Sequence, residues 1–99
     1  MSATVVTYRV KEGRAEENAG FVRAVYAELA ERRPAEFTYS TWLAEDGVTF
    51  THIAFTEGDA AAPLPELAAF RAFQQDLGER CAEPPRVTKL PENIGRYPA

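Results

Sequence analysis

Residues 37 to 55 read Phe37-Thr38-Tyr39-Ser40-Thr41-Trp42-Leu43, then Ala44-Glu45-Asp46-Gly47, then Val48-Thr49-Phe50-Thr51-His52-Ile53-Ala54-Phe55. Large apolar and small polar groups alternate on both sides of Asp46-Gly47, which is the two-residue period of a strand. Asp-Gly between two such runs is a strong short-range hairpin signal. The stretch predicts two antiparallel strands, 37–43 and 48–55, joined by a tight turn. A two-residue Asp46-Gly47 turn puts Thr41 opposite His52, with Tyr39, Leu43 and Phe50 on the same face. A three-residue Glu45-Asp46-Gly47 loop puts Ser40 opposite instead, with Trp42 and Phe50 as face-mates. A slip of one residue exchanges the two faces; the shorter turn is preferred.

Upstream, Thr4 to Val10 is dense in β-branched and aromatic side chains and reads as a strand. Gly13 ends it. Asn18, Phe21, Val22, Val25 and Leu29 then recur at three- and four-residue steps, which places them on one face of a helix. Glu16 and Glu17 in its first turn and Arg32 and Arg33 in its last complement the helix dipole, Glu28 and Arg32 can pair along the outer face, and Pro34 stops it. Downstream, residues 56 to 62 suit a surface loop. Pro63-Leu64-Pro65-Glu66 opens a second helix, with Pro65 at its first position and Leu67, Phe70, Phe73 or Gln74, Leu77 and Cys81 as its apolar stripe. Pro84-Pro85 ends it, Arg86 to Leu90 forms a last short strand, and Ile94 to Tyr97 can add extended residues.

The order is β-α-β-β-α-β over a single domain, residues 1–99. This is the ferredoxin-like α+β arrangement, with two helices on one face of an antiparallel sheet. The hairpin carries bulky groups both ways: Phe37, Tyr39 and Leu43 point to one face and Trp42 to the other. A sheet apolar on both faces, with helices for only one, implies a second copy on the open face. A homodimer is expected.

Composition narrows the function. Fifteen acidic against eleven basic residues give a net charge of -4, which repels phosphate backbones and anionic lipid, so neither nucleic acid nor membrane is an expected partner. No apolar run approaches the ~20 residues of a membrane span. The lone Cys81 and the absence of a basic-then-apolar start read as a cytoplasmic protein. One His and one Cys cannot build a closed zinc site. Ser2 and Ser40 lack a nucleophile elbow, and the six scattered glycines form no phosphate-cradling loop. No cofactor is expected.

His52 is the one side chain that exchanges protons near neutral pH unaided. Two readings stay open: a structural imidazole bonded across the sheet, or a catalytic base. Tyr8, Tyr39 and Trp42, aromatic with a polar tip, suit a small-molecule pocket as well as a core or an interface. Cys81 reads as a packed thiol.

The strand Val5 to Val10, the Lys11-Glu12-Gly13-Arg14 turn, the Tyr39 to Phe55 hairpin and the Leu67 to Leu77 helix together resemble the dimeric α+β barrel superfamily, and within it the antibiotic-biosynthesis-monooxygenase-like proteins. The resemblance covers nearly the whole chain and is one of layout. It implies two ferredoxin-like subunits pressing their open sheet faces into a barrel. It also implies functions ranging from cofactor-free oxygenases of aromatic polyketides or quinols to haem-degrading enzymes. The family's Glu-x-Trp is absent at Ala54-Phe55-Thr56, its helical His is replaced at Phe70 and Phe73, and Val6 or Thr7 stands where haem degraders place an Asn. Haem breakdown is disfavoured. The resulting expectation is a homodimer with a small apolar pocket for an aromatic or quinol-type molecule, acting as a cofactor-independent monooxygenase. His52 would be the catalytic proton acceptor, and Tyr8, Tyr39 and Phe50 would orient the substrate ring. The other reading is a non-catalytic dimer that binds a small ligand or a partner.

Overall fold

The hairpin pairs in the register of the shorter turn. In the computed structural model, which describes residues 1–57 and 62–98, β2 (Phe37–Leu43) and β3 (Thr49–Thr56) run antiparallel with Thr41 opposite His52. The loop itself is wider than two residues. Ala44 N–H donates to Thr49 O at 2.9 Å and Gly47 N–H to Ala44 O at 3.0 Å, so residues 45–48 close the turn. The Asp46 carboxylate accepts the amides of Val48 and Thr49, both at 2.9 Å, and also the Thr49 hydroxyl. Those bonds explain the extra width, and they hold the Asp46 carboxyl below its usual range, the Thr49 hydroxyl first among them. Gly47 sits at φ +77, the left-handed region where a side chain is strained.

β1 (Ser2–Arg9) pairs antiparallel with β3 on one side and with β4 (Arg86–Leu90) on the other, which gives the order β2-β3-β1-β4. β1 starts two residues earlier than the β-branched run suggests, and Val10 continues it only as a single bridge to Cys81. Residues 94–97 add no strand. α1 (Ala15–Arg32) ends at Arg33, which takes the left-handed conformation just before Pro34 and donates its N–H to Leu29 O.

The expected second helix is divided. A 3-10 turn (Leu64–Glu66) carries Pro65 at its start, Leu67 is extended, and α2 (Ala68–Gln75) is followed after Asp76 by a single turn, α3 (Leu77–Arg80). Asp76 and Gly78 are weak helix formers, and neither is compensated by a side-chain cap. The start of α2 is held from outside. Glu28 of α1 accepts the amides of Ala69 at 2.8 Å and Ala68 at 3.3 Å, while also pairing with Arg32 at 3.1 Å. Glu28 therefore does more than decorate an outer face.

All helices cover one side of the sheet. Tyr8, Val10 and Phe50 from the sheet meet Val22 and Val25 of α1 and Leu67, Phe73 and Leu77 beneath the second helical segment. Cys81 is buried among them, and burial pushes its thiol pKa up. The opposite sheet face carries Val5, Ile53, Phe55, Trp42 and Leu90 with no helix over it. Trp42 is 64% exposed. The chain after β4 passes over one end of that face, where Ala3, Phe55, Leu90 and Ile94 border a shallow cavity of about 380 Å³.

Candidate functional site

Four sequence-selected residues, Tyr8, Tyr39, Phe50 and His52, lie on the helix-covered sheet face. The register explains this: Tyr8 is opposite Phe50, Val6 opposite His52, and His52 opposite Thr41. Odd-numbered positions of β2 and even-numbered positions of β1 and β3 therefore share that face.

His52 is only 5% exposed and is gripped on both ring nitrogens. The Tyr8 hydroxyl is 2.7 Å from Nε2, the Tyr39 hydroxyl 2.7 Å from Nδ1, and the Thr41 hydroxyl 3.1 Å from Nδ1. Tyr26 of α1 extends the set by a 2.8 Å bond to Thr41. The imidazole is also packed on its faces, with Tyr8 stacked at 5.3 Å between ring centroids and Phe73 tilted at 5.4 Å. Burial lowers the His52 pKa from its ordinary value to about 4, because a charged ring would lose its hydration there. The same burial raises the Tyr8 and Tyr39 phenols above their usual range. At neutral pH the three groups form an uncharged imidazole between two protonated phenols.

Behind Tyr8 the polar set continues into the core. Asn18, fully buried on α1, donates Nδ2–H to the Tyr8 hydroxyl at 2.8 Å. Arg80, 0% exposed at the end of α3, donates Nε–H to Asn18 Oδ1 at 3.0 Å and Nη2–H to the carbonyl of Phe73 at 2.8 Å. Its guanidinium lies over the Phe21 ring at 4.4 Å, and Nη1 has no hydrogen-bond partner among the described residues. None of the ion pairs among the described residues involves this buried cation.

A cavity of about 620 Å³ opens between sheet and helices against this set. Val6, Tyr8, Tyr39 and His52 form its sheet side, and Phe70 and Phe73 its helix side. Its size falls within the usual range for small-molecule pockets, and its mostly apolar lining with a few convergent polar tips is what such pockets require. Phe50 lies outside the lining, 5.6 Å from the Tyr8 ring and nearly parallel to it, so it supports Tyr8 from behind. Trp42 points to the other face of the sheet and takes no part.

Sequence reasoning did not assign roles to Asn18, Arg80 or Tyr26. Asn18 alone left a signal, as the one polar residue within an apolar helical stripe. Among the described residues no group of three or more His, Cys, Asp or Glu is placed to hold a metal ion. No helix of the described residues is long and apolar enough to cross a membrane.

No protein-family profile matches the chain, and no curated protein matches it in sequence. Its likeness is to solved structures. A Nitrosomonas europaea protein, provisionally named an antibiotic biosynthesis monooxygenase, superposes with a TM-score of 0.79 at 18% identity, covering 93% of this chain and 98% of that one. A second structure named antibiotic biosynthesis monooxygenase gives 0.72 at 13% identity, covering 94% and 99%. A Pseudomonas aeruginosa protein gives 0.72 at 21%, covering 93% of each. The chain shares their fold. The ferredoxin-like layout read from the hairpin outward is thereby matched over nearly the full length of both partners.

Proposed function

We propose that the chain is a cytoplasmic homodimer that takes a flat aromatic or quinol-type molecule into the cavity above Tyr39 and His52. It acts there as a cofactor-independent monooxygenase. The observation that carries this reading is the cavity of about 620 Å³ with an imidazole bridging two phenols on one wall and Phe70 and Phe73 on the other. The names of the structural neighbours favour the same chemistry.

In this mechanism the substrate binds as an enolate or phenolate, its proton already lost to water. Tyr39 meets the anionic oxygen. His52 holds the Tyr39 hydroxyl in place and acts on the substrate through it, because both imidazole nitrogens are engaged. Tyr8 and Phe73 shape the wall. The electron-rich ring then reduces oxygen directly. For a methylene flanked by aromatic rings, the carbon becomes a carbonyl with one oxygen atom. The other oxygen leaves as water with the remaining hydrogen and a proton returned by solvent in place of the one lost on binding, and the substrate supplies all four electrons. The pocket contributes orientation and a dry setting for the anion.

The open sheet face supports the dimer. Trp42 and Leu90 are exposed there and Ile53 is only half-buried, as expected of surface that a second copy covers.

Oxygen uptake with anthrone tests the activity. One oxygen consumed per anthrone, faster than the protein-free rate and slowed at least tenfold by Tyr39→Phe, is the expected result. Uptake no faster than the blank, or unchanged by Tyr39→Phe, would overturn the monooxygenase reading. One observation favours a binding protein instead: His52 is saturated with hydrogen bonds and does not titrate near neutrality. Anthrone binding without turnover would establish that alternative.

A further inference from the structure

The polar groups beneath the cavity form a chain with a fixed sense, and the sense is set at its buried end. A guanidinium has N–H donors and no acceptor, so the atom of Asn18 that meets Arg80 Nε at 3.0 Å is the amide oxygen. The Asn18 nitrogen then faces Tyr8 and donates to its hydroxyl at 2.8 Å. With that bond received, the Tyr8 proton has one neighbour left, Nε2 of His52 at 2.7 Å. The opposite arrangement would strand a hydroxyl proton in a buried site. A neutral imidazole carries one proton, which must therefore sit on Nδ1, facing the Tyr39 hydroxyl at 2.7 Å. Tyr39 receives that bond and keeps its own proton to give, and Tyr39 lines the cavity. The Thr41 hydroxyl, bonded to Tyr26 at 2.8 Å and 3.1 Å from Nδ1, is the competing acceptor for that proton.

We infer that Arg80 and Asn18 set the direction of this chain, so that Tyr39 offers a hydrogen-bond donor to the cavity and the bound molecule presents an acceptor oxygen, a ring carbonyl or its enolate. The inference rests on the aromatic-ligand reading for its ligand and on the hydrogen bonds alone for its direction. Every link points from the buried cation toward the cavity, an order that favours negative charge on the ligand oxygen. Arg80 and Asn18 are positioning residues; Tyr39 touches the ligand. Specificity for an acceptor oxygen is thus decided behind the pocket wall, by one residue of α1 and one of α3.

The chain has one histidine, so two-bond 1H–15N correlation spectra of uniformly labelled protein report its tautomer without ambiguity. The wild type should show the Nδ1–H form, against the preference of a free imidazole. Asn18→Asp replaces the amide donor with a carboxylate that accepts from both Arg80 and Tyr8. That reverses the chain and should switch His52 to the Nε2–H form. An Nε2–H wild type, or no switch in a folded Asn18→Asp variant, would overturn the inference. If that variant does not fold, the wild-type tautomer decides alone.

The ligand half is tested with 1-tetralone and its hydrocarbon counterpart tetralin, which cancel shape and burial. Tyr39→Phe should weaken tetralone about three- to tenfold, the effect of one hydrogen bond, and leave tetralin unchanged. Equal losses for both, or none for either, would mean that the Tyr39 proton is spent on Thr41, and would overturn the ligand assignment. If neither compound binds the wild type, the aromatic-ligand reading falls with it, while the tautomer result still stands or falls by itself.

Discussion

The Tyr39 hydroxyl lies 2.7 Å from Nδ1 of His52, although the ring it touches is buried so completely that protonation is disfavoured down to about pH 4. This pairing couples the stability of the fold to pH. Unfolded, the imidazole takes a proton near pH 6.5; folded, it resists until about 4. Between those values the unfolded chain binds more protons, so acid favours unfolding. The full contribution is present above pH 6.5 and is lost as pH falls to 4, a difference of about 3 kcal/mol. Urea unfolding at intervals from pH 7.5 to 4 should show that loss, and His52→Gln should flatten the curve above pH 5. A wild-type curve already flat between 6.5 and 5 would contradict the buried neutral ring.

Asn18 accepts from Arg80 Nε and donates to the Tyr8 hydroxyl, two buried atoms it serves at once. Asn18→Leu keeps the branched heavy-atom shape but strands both Arg80 Nε and the Tyr8 hydroxyl as an acceptor. Two orphaned buried groups at ~1–3 kcal/mol each give an expected loss of about 2–6 kcal/mol. In a chain of this length that lowers Tm by roughly 10–30 °C. Asn18→Asp, which satisfies both neighbours, should stay near the wild type. Calorimetry of the pair separates a bonding role from mere packing, since equal destabilisation by both would contradict it.

The hairpin and first helix were legible because their signals are local. Asp46-Gly47 and the strict alternation around it carry the register, and Pro34 and the terminal charges bound α1. The break in the second helix was not legible. Its cause is partly remote, since Glu28 of α1 supplies the amide acceptors that let α2 begin afresh at Ala68. The site divides the same way. Tyr39 and His52 share a face in the register of the shorter turn, which the sequence favours; Tyr8 joins them only through the β1–β3 register, for which no local signal exists. The Asn18–Arg80 contact spans 62 residues of chain and exists only once α3 has folded beneath α1. No spacing rule could announce it.

Phe73 serves both the core and the cavity wall. It is 4% exposed and touches Tyr8, His52 and Phe70. Phe73→Ala should cost about 3–5 kcal/mol, the usual range for a buried phenylalanine. Phe70, half-buried on the same wall, should cost less when truncated and chiefly weaken aromatic ligands. Chemical denaturation beside a tetralin titration distinguishes the two. A larger stability loss for Phe70→Ala than for Phe73→Ala would show that the packing is misassigned.

Ile53 lies at the centre of the open sheet face, paired with Val5 and Ser40. A carboxylate there should leave the subunit folded and split the proposed dimer. Ile53→Glu is expected to raise the dimer dissociation constant at least about thirtyfold, the effect of losing an interface hot spot. Native mass spectrometry at micromolar concentration reads it. A wild type that is already monomeric would remove the barrel.

The lone tryptophan and the cavity lie on opposite sides of one sheet. Emission from Trp42 is therefore expected to follow the proposed subunit association, since its indole lies on the face a second copy would cover. Tyrosine emission, with Tyr8 and Tyr39 on the pocket wall, carries the opposite bias. The sheet thus places two kinds of native reporter apart, one beside the proposed interface and one beside the cavity, in a protein that needs no added label to be watched.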